Sequence, residues 1–83
     1  MTTVRDQVFD IIAKEGSIDR TRIEPRSTLK DLEIESLDVV QIIAAIEEHF
    51  EIFLPYDDPK LDIQTAGGLT EAVERLLRAK QTA

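Results

Sequence analysis

Ser36 and His49 are the first side chains to consider for chemistry, because a serine hydroxyl can be acylated or phosphorylated and a histidine can serve as its base. His49 is the only histidine of the 83 residues, and the chain has no cysteine. The two residues lie thirteen positions apart in one segment of helical periodicity, which separates them by about 20 Å along a helix axis. They cannot form a serine–histidine pair, so the sequence does not support a serine–histidine hydrolase.

No other chemical machinery is visible in the sequence. There is no glycine-rich phosphate loop, and the acidic pair Asp57-Asp58 lacks the spacing of a calcium-binding loop. Without cysteine, neither a disulfide framework nor a thiolate metal site can form. We therefore expect a protein without catalytic activity and without a fixed metal site, and we expect His49 to be solvated among neighbouring glutamates.

The negative charge of the chain is concentrated around Ser36. Residues 31–62 hold ten acidic residues and one lysine, whereas the whole chain has a formal net charge of −7. This composition argues against binding to nucleic acid, which needs clustered lysine and arginine. A charge run usually forms only a solvated face, but like charges at this density oppose folding, so their segregation favours a docking surface that steers basic partners. The acidic residues on or beside the helix predicted at Ser36 are Glu35, Asp38, Glu47 and Glu48.

The spacing of apolar residues predicts an all-α fold. We expect a small antiparallel four-helix bundle with three long helices, one short helix and a long first loop. The helices are predicted over residues 3–15, 36–50, 59–62 and 66–80. Residues 1–83 are expected to form a single domain in which 81–83 are disordered.

Residue types at the predicted helix ends indicate how the helices begin and stop. Thr2 or Thr3 is expected to cap the first helix, and Thr65 is expected to cap the last one. Gly16 is expected to end the first helix in a left-handed conformation. Ser36 is expected to be the N-cap of the second long helix, where a short polar side chain can bond to free amides.

The second long helix carries more apolar surface than one packed face requires. One stripe consists of Leu37, Val40, Ile43, Ala44 and Phe50. A second band beside it consists of Val39, Ile42 and Ile46. The second band either completes the core or lines a cleft between helices.

The long first loop, residues 17–35, needs anchors because irregular loops of this length are uncommon in compact domains. Five apolar residues are expected to pin it to the core, and a helical turn is expected near Leu29–Leu32. These residues are Ile18, Ile23, Leu29, Leu32 and Ile34.

The sequence shows no signal peptide, and no apolar run approaches the roughly 20 residues of a membrane span. Together with the absence of cysteine, this predicts a cytoplasmic protein that does not insert into membranes. We expect a monomer, because the pattern leaves no large apolar face uncovered.

The segment Asp31-Leu32-Glu33-Ile34-Glu35-Ser36-Leu37-Asp38-Val39-Val40 resembles the attachment site of acyl carrier proteins, in which a serine within Asp-Ser-Leu opens the second helix. The similarity continues through Glu47-Glu48-His49-Phe50, Leu54-Pro55 and Thr65, and it covers roughly residues 4–77. Two positions depart from the family pattern, since Glu35 replaces the usual aspartate and Glu33 replaces a frequent glycine. These departures favour a specialised carrier over the housekeeping one.

The resemblance implies that Ser36 carries a covalent 4′-phosphopantetheine arm, which a separate magnesium-dependent phosphopantetheinyl transferase adds from coenzyme A. Acyl groups then travel on the terminal thiol as thioesters, and lipid-biosynthetic enzymes with basic patches receive them. Partner docking would involve Glu35, Leu37, Asp38, Glu47 and Glu48. The family precedent also favours an acyl-chain cleft lined by Val39, Ile42 and Ile46.

Two other functions remain open at this point. A peptidyl or aminoacyl carrier shares the fold and the serine, although such carriers are usually less acidic. An unmodified interaction module would use the acidic helix only to bind a basic partner. The residues leave open which pathway and which acyl group are served.

Overall fold

A computed structural model describes residues 3–55 and 64–82. Within these residues the fold has three α-helices and no strand, which confirms the predicted all-α class. The helices are α1 (Val4–Gly16), α2 (Ser36–Phe50) and α3 (Ala66–Thr82), and a short 3-10 helix spans Arg20–Arg22. The short helix predicted over residues 59–62 lies outside the described residues.

The start of α1 is capped by one of the predicted residues, but the predicted residue does not end the helix. Thr3 is the N-cap, because its Oγ accepts the Asp6 amide at 3.1 Å while the Asp6 carboxylate accepts the Thr3 amide at 3.5 Å. The prediction that Gly16 adopts the left-handed conformation is wrong, since Ser17 does so with φ 55° and Gly16 stays helical. A Cβ on Gly16 would lie 3.3 Å from the Ile34 side chain. The absence of a side chain at Gly16 therefore leaves space for the Ile34 side chain.

The core forms where α1 packs against both α2 and α3. Its buried residues come from all three helices and from the connecting segments. They are Val8, Phe9, Ile12, Ile23, Leu29, Leu32, Ile34, Ile42, Ile43, Ile46, Leu54, Ala66, Leu69, Ala72 and Val73. With one aromatic ring in this set, the core consists mainly of branched aliphatic side chains that must interlock closely.

The long first loop is anchored as predicted. Four of its five apolar residues are buried, and Ile18 is partly buried against the same core. The expected helical turn is present as a hydrogen-bonded turn, in which the Leu32 amide donates to the Thr28 carbonyl at 3.1 Å. Apolar anchors thus fix a segment that has little regular structure.

The 3-10 helix in this loop was not predicted. Asp19 caps it by accepting the Thr21 amide at 3.0 Å and the Thr21 hydroxyl at 2.8 Å. The pKa of the Asp19 carboxyl lies below its usual value, because it accepts these two hydrogen bonds from Thr21 and because the positive charge of Arg22 is nearby. Arg20 joins this helix to α1, because its guanidinium lies 3.0 Å from the Asp10 carboxylate.

The start of α3 is capped as predicted, since the Gly68 amide donates to Thr65 Oγ1 at 2.9 Å. The helix continues to Thr82, two residues beyond the predicted end. Two of the three terminal residues expected to be disordered are therefore helical, and Ala83 lies outside the described residues.

Candidate functional site

Ser36 is the first residue of α2, and its side chain is exposed. The prediction that it caps the helix is wrong: Glu35 is the N-cap, with extended backbone angles and no side-chain hydrogen bond to the helix. The Ser36 hydroxyl has no hydrogen-bond partner within residues 3–55 and 64–82. An unbonded hydroxyl here is accessible for modification, and a phosphate attached to it would lie at the positive end of the helix dipole.

The turn before Ser36 fixes the direction in which α2 begins. The Ile34 amide donates to the Leu29 carbonyl at 3.0 Å, and the Glu33 amide donates to the Lys30 carbonyl at 2.9 Å. Ile34 is buried, so the chain is anchored two residues before the exposed serine. Glu33 adopts φ 59°, a left-handed conformation that costs a residue with a Cβ about 1–2 kcal/mol. This backbone angle gives a physical reason for glycine at the same position of the family pattern.

The exposed surface beside Ser36 combines apolar and acidic side chains. Leu37 is 68% exposed and Val40 is 52% exposed, although both belong to the apolar stripe predicted for this helix. Ala44, one turn further, is exposed as well. Glu35 is exposed and Asp38 is partly buried, so carboxylates lie on the same first turn as Leu37. The stripe therefore divides into a solvent-facing part and a buried part.

Glu47 is not equivalent to the other acidic residues. One of its carboxylate oxygens accepts the Leu54 amide at 2.8 Å, across the segment that follows α2. Leu54 is completely buried, so this bond satisfies a backbone group at the edge of the core. Glu48, the next residue, is exposed. Sequence reasoning grouped the two glutamates, but the fold gives Glu47 a structural contact.

His49 also has a contact that the sequence did not predict. Its Nε2 lies 2.7 Å from Gln7 Oε1, and its ring meets the Phe50 ring edge-on at 4.8 Å between centroids. His49 is exposed, as expected, and this contact with Gln7 is an addition that the sequence did not indicate. The last turn of α2 is bonded to α1 through this pair.

A hollow of about 450 Å³ lies one turn from Ser36. Val39 forms the wall that α2 contributes. The other walls come from the first loop and from Gln64, the residue before the cap of α3. Its lining residues are Thr28, Leu29, Lys30, Val39 and Gln64. Ile42 and Ile46, which were grouped with Val39, are fully buried in the core and do not line it. The second apolar band is thus split between this hollow and the core.

Two other hollows lie further along the chain from Ser36. One is lined by residues of α1 and α2, most of which are charged or polar. Its α2 lining residue nearest to Ser36 in the sequence is Ala45. The other lies beside Phe53 and the end of α3. Ala45 is nine residues beyond Ser36, which is about 13 Å along the helix. The Val39 hollow is therefore better placed to receive a group attached to the serine.

Among the described residues, no group of histidine, aspartate and glutamate side chains has an arrangement that could hold a metal ion. No helix in the described part of the chain is long and apolar enough to cross a membrane.

Comparison with known proteins gives matches that include the Ser36 segment. The family model described as "Phosphopantetheine attachment site" matches residues 6–73. The acyl carrier protein AcpXL of Rhizobium etli is 47% identical over 58 residues, which is 69% of this chain and 63% of that protein. AcpXL of Rhizobium meliloti is 45% identical over 58 residues, which is 69% of this chain and 61% of that protein. The chain therefore matches less than two thirds of the length of these relatives.

A more distant relative is matched over nearly its full length. The acyl carrier protein of Chlorobium luteolum is 29% identical over 76 residues, which is 90% of this chain and 92% of that protein. All of α2 and all lining residues of the hollow lie within residues 6–73, which the family model matches.

Proposed function

The chain belongs to the acyl carrier protein family, and on that basis we propose that it carries acyl groups as thioesters on a 4′-phosphopantetheine arm attached to Ser36. The single observation that carries the proposal is the exposed Ser36 hydroxyl at the first position of α2, which no other described residue binds. Members of this family are carriers that other enzymes modify and use, and they are not catalysts. The proposed role therefore requires no base or metal from this chain.

The attachment reaction is a phosphoryl transfer. The Ser36 oxygen attacks the phosphorus next to pantetheine in coenzyme A, its proton passes to a base of the transferase, and 3′,5′-ADP leaves. The product is a phosphodiester, which keeps one negative charge. The amides at the start of α2 face that charge and have no side-chain cap from Glu35, so the helix end can stabilise it.

We propose that partner enzymes dock on the first turns of α2. Leu37 and Val40 supply exposed apolar area at the centre. The carboxylates of Glu35, Asp38 and Glu48 would steer basic partners to it. Glu47 adds to the negative field, but its bond to Leu54 makes a direct contact with a partner less favourable.

We propose that the acyl chain enters the Val39 hollow. Leu29 and Val39 give this hollow apolar walls, and burial of each methylene contributes about 0.8 kcal/mol. Ile42 and Ile46 follow Val39 at helical spacing. A longer chain would reach them only by displacing their present core contacts.

The test of the proposal is enzymatic loading. The protein is incubated with coenzyme A, Mg²⁺ and a broad-specificity phosphopantetheinyl transferase, and its intact mass is measured. We expect a mass gain of one phosphopantetheine group, which peptide mapping assigns to the fragment containing Ser36. An unchanged mass would contradict the carrier function and leave the unmodified interaction module.

A second step separates acyl from aminoacyl cargo. The loaded protein is offered to an acyl–carrier synthetase with fatty acids and to adenylating enzymes with amino acids. We expect thioesters with fatty acids only. Exclusive loading with an amino acid would identify a peptidyl carrier instead.

Three further predictions from the sequence accompany the proposal: a single carrier domain over residues 1–83, a monomer, and a cytoplasmic location. The exposed Leu37 and Val40 make the monomer the most important of these to test. Sedimentation of the loaded and unloaded protein at several concentrations gives that test.

A further inference from the structure

Two distant segments of the chain are joined by backbone hydrogen bonds at the edge of the Val39 hollow. We call residues 25–29 and 64–67 the backbone clamp. The Leu29 amide donates to the Gln64 carbonyl at 3.0 Å, and the Ala66 amide donates to the Ser27 carbonyl at 2.9 Å. Between these bonds, Thr28 and Thr65 form an isolated antiparallel bridge. The start of α3 is thereby fixed to the first loop.

Gly67 closes the backbone clamp at its tightest point. Its amide donates to the Pro25 carbonyl at 2.7 Å. A Cβ on Gly67 would lie 2.6 Å from that carbonyl oxygen and 3.2 Å from the carbonyl carbon. Since ordinary contacts begin near 3.4 Å, Pro25 would have to move by about 0.8 Å to admit one methyl group. Backbone atoms must shift for this, because no flexible side-chain end is involved.

The backbone clamp also forms the wall of the hollow that faces α2. Thr28, Leu29 and Gln64 belong to the clamp and line the hollow, and Val39 lines it from α2. The distance between the walls therefore depends on how closely residues 25–29 approach the start of α3. Gly67 does not line the hollow itself, so its effect reaches the hollow through the clamp.

We propose that Gly67 is a positioning residue for acyl-chain binding. It allows the backbone clamp to close, and the closed clamp holds Thr28, Leu29 and Gln64 where they shelter the first methylenes of a straight-chain saturated acyl group. This inference rests on the proposed function, because it requires an acyl thioester on Ser36. It adds to that function a residue that controls how well the thioester is protected.

The experiment compares thioester cleavage by hydroxylamine in three loaded proteins: the native chain, Gly67→Ala and the matched control Gly16→Ala. The atoms nearest to a Cβ on Gly16 are side-chain atoms of Ile34, at 3.3 Å, and of Ile18, at 3.9 Å, and neither residue belongs to the clamp. Each protein is loaded with an acetyl or a decanoyl group, and hydroxylamine cleavage rates are measured. The ratio of the acetyl rate to the decanoyl rate reports protection that depends on chain length.

We expect the native chain and Gly16→Ala to give the same ratio within about twofold, and Gly67→Ala to give a ratio about tenfold lower. A tenfold loss corresponds to about 1.4 kcal/mol, the burial of nearly two methylenes. Equal ratios in all three proteins, or no chain-length dependence in the native chain, would overturn the inference while leaving the carrier function intact. Failure of the native chain to load at all would overturn the proposed function instead.

A second measurement applies if Gly67→Ala does not fold. Hydrogen exchange is followed in the native chain at the amides of Leu29, Ala66 and Gly67, with acetyl or decanoyl attached. We expect the decanoyl group to slow exchange at these amides at least severalfold relative to acetyl, since a chain in the hollow braces the clamp. Equal exchange with both groups would overturn the inference.

Discussion

The first and last turns of α2 use their polar groups differently. At the first turn, Glu35 makes no capping bond and the Ser36 hydroxyl is unbonded within the described residues. At the last turn, Glu47, His49 and the Glu51 carbonyl each bond to another part of the chain. One helix thus has an open end and a bonded end, although acidic residues occur at both.

This difference shows that a carboxylate's position in the sequence does not reveal its role. A carboxylate that already accepts a buried amide must lose that bond to meet a partner, which costs free energy. Within the described part of the chain, the Glu35 carboxylate and the Ser36 hydroxyl have no such bond to lose. The proposed recognition and modification therefore fall on the first turn of α2, whereas the last turn has contacts that stabilise the fold.

The largest expected effect concerns the open end. Ser36→Ala should abolish the phosphopantetheine mass gain completely, while the free energy of unfolding changes by less than about 0.5 kcal/mol, because the hydroxyl has no hydrogen bond to any residue that the structure describes. The matched control is Ser27→Ala, which should load normally and lose about 1 kcal/mol, because Ser27 Oγ accepts the Glu24 amide. Intact mass and urea denaturation provide the two readouts. Equal destabilisation by both changes would mean that Ser36 supports the helix after all.

The second prediction concerns the bonded end. Glu47→Ala should lower the free energy of unfolding by about 2 kcal/mol, because it removes a charge-assisted bond to the Leu54 amide. Glu48→Ala, the exposed neighbour, should stay within about 0.5 kcal/mol of the native chain. Urea denaturation of both variants measures the difference. If the two variants were equally stable, the distinction between these glutamates would fail.

The third prediction tests recognition at the open end. Replacing Glu35 and Asp38 by lysine should slow phosphopantetheinyl transfer about tenfold at low salt, because the field that steers the enzyme is reversed next to Ser36. The difference should shrink near 1 M salt, where the screening length is about 3 Å. Initial rates at several salt concentrations measure this.

The control for that experiment reverses the same number of charges elsewhere. Glu71 and Glu74 lie on α3, so their replacement by lysine gives an equal change of net charge away from the first turn of α2. An equal loss of rate in both double variants would show that total charge decides, and not its location.

The smallest expected effect again concerns the bonded end. The Lys80 ammonium donates to the Glu51 carbonyl at 3.0 Å, but both side chains are exposed. Lys80→Ala should therefore cost about 0.5 kcal/mol or less, as is usual for exposed charged pairs. Thermal unfolding of the variant measures this. A loss as large as that of Glu47→Ala would mean that α3 contributes more to the last turn of α2 than these contacts indicate.

The parts of the fold that depend on local sequence were predictable. Apolar periodicity located all three described helices to within about two residues, and Thr3 and Thr65 act as the expected caps. The apolar anchors of the first loop were also evident, because an irregular segment has few other reasons to carry branched aliphatic residues. The proposal for Ser36 rests on its position at a helix start within a recognisable segment.

The parts that depend on distant contacts were not predictable. Apolar residues occur on most sides of α2, so periodicity could not decide that Ile42 is buried while Leu37 and Val40 face solvent. That choice depends on where α1 and the first loop pack. The bond from Glu47 to Leu54 depends on the path of the chain after α2, which no local pattern specifies. Nor could spacing alone choose between Glu35 and Ser36 as the cap, a difference of one residue.

The pairing of residues 25–29 with residues 64–67 has a consequence for how the molecule assembles. It brings together positions almost forty residues apart, so a long stretch of chain must be closed before these bonds form. Contacts of such separation slow folding compared with those inside a helix. During synthesis, α1 and α2 leave the ribosome before the start of α3, so Ser36, the proposed attachment residue, emerges before the clamp can form. We expect an arm to be accepted by a nascent chain earlier than its cargo can be sheltered.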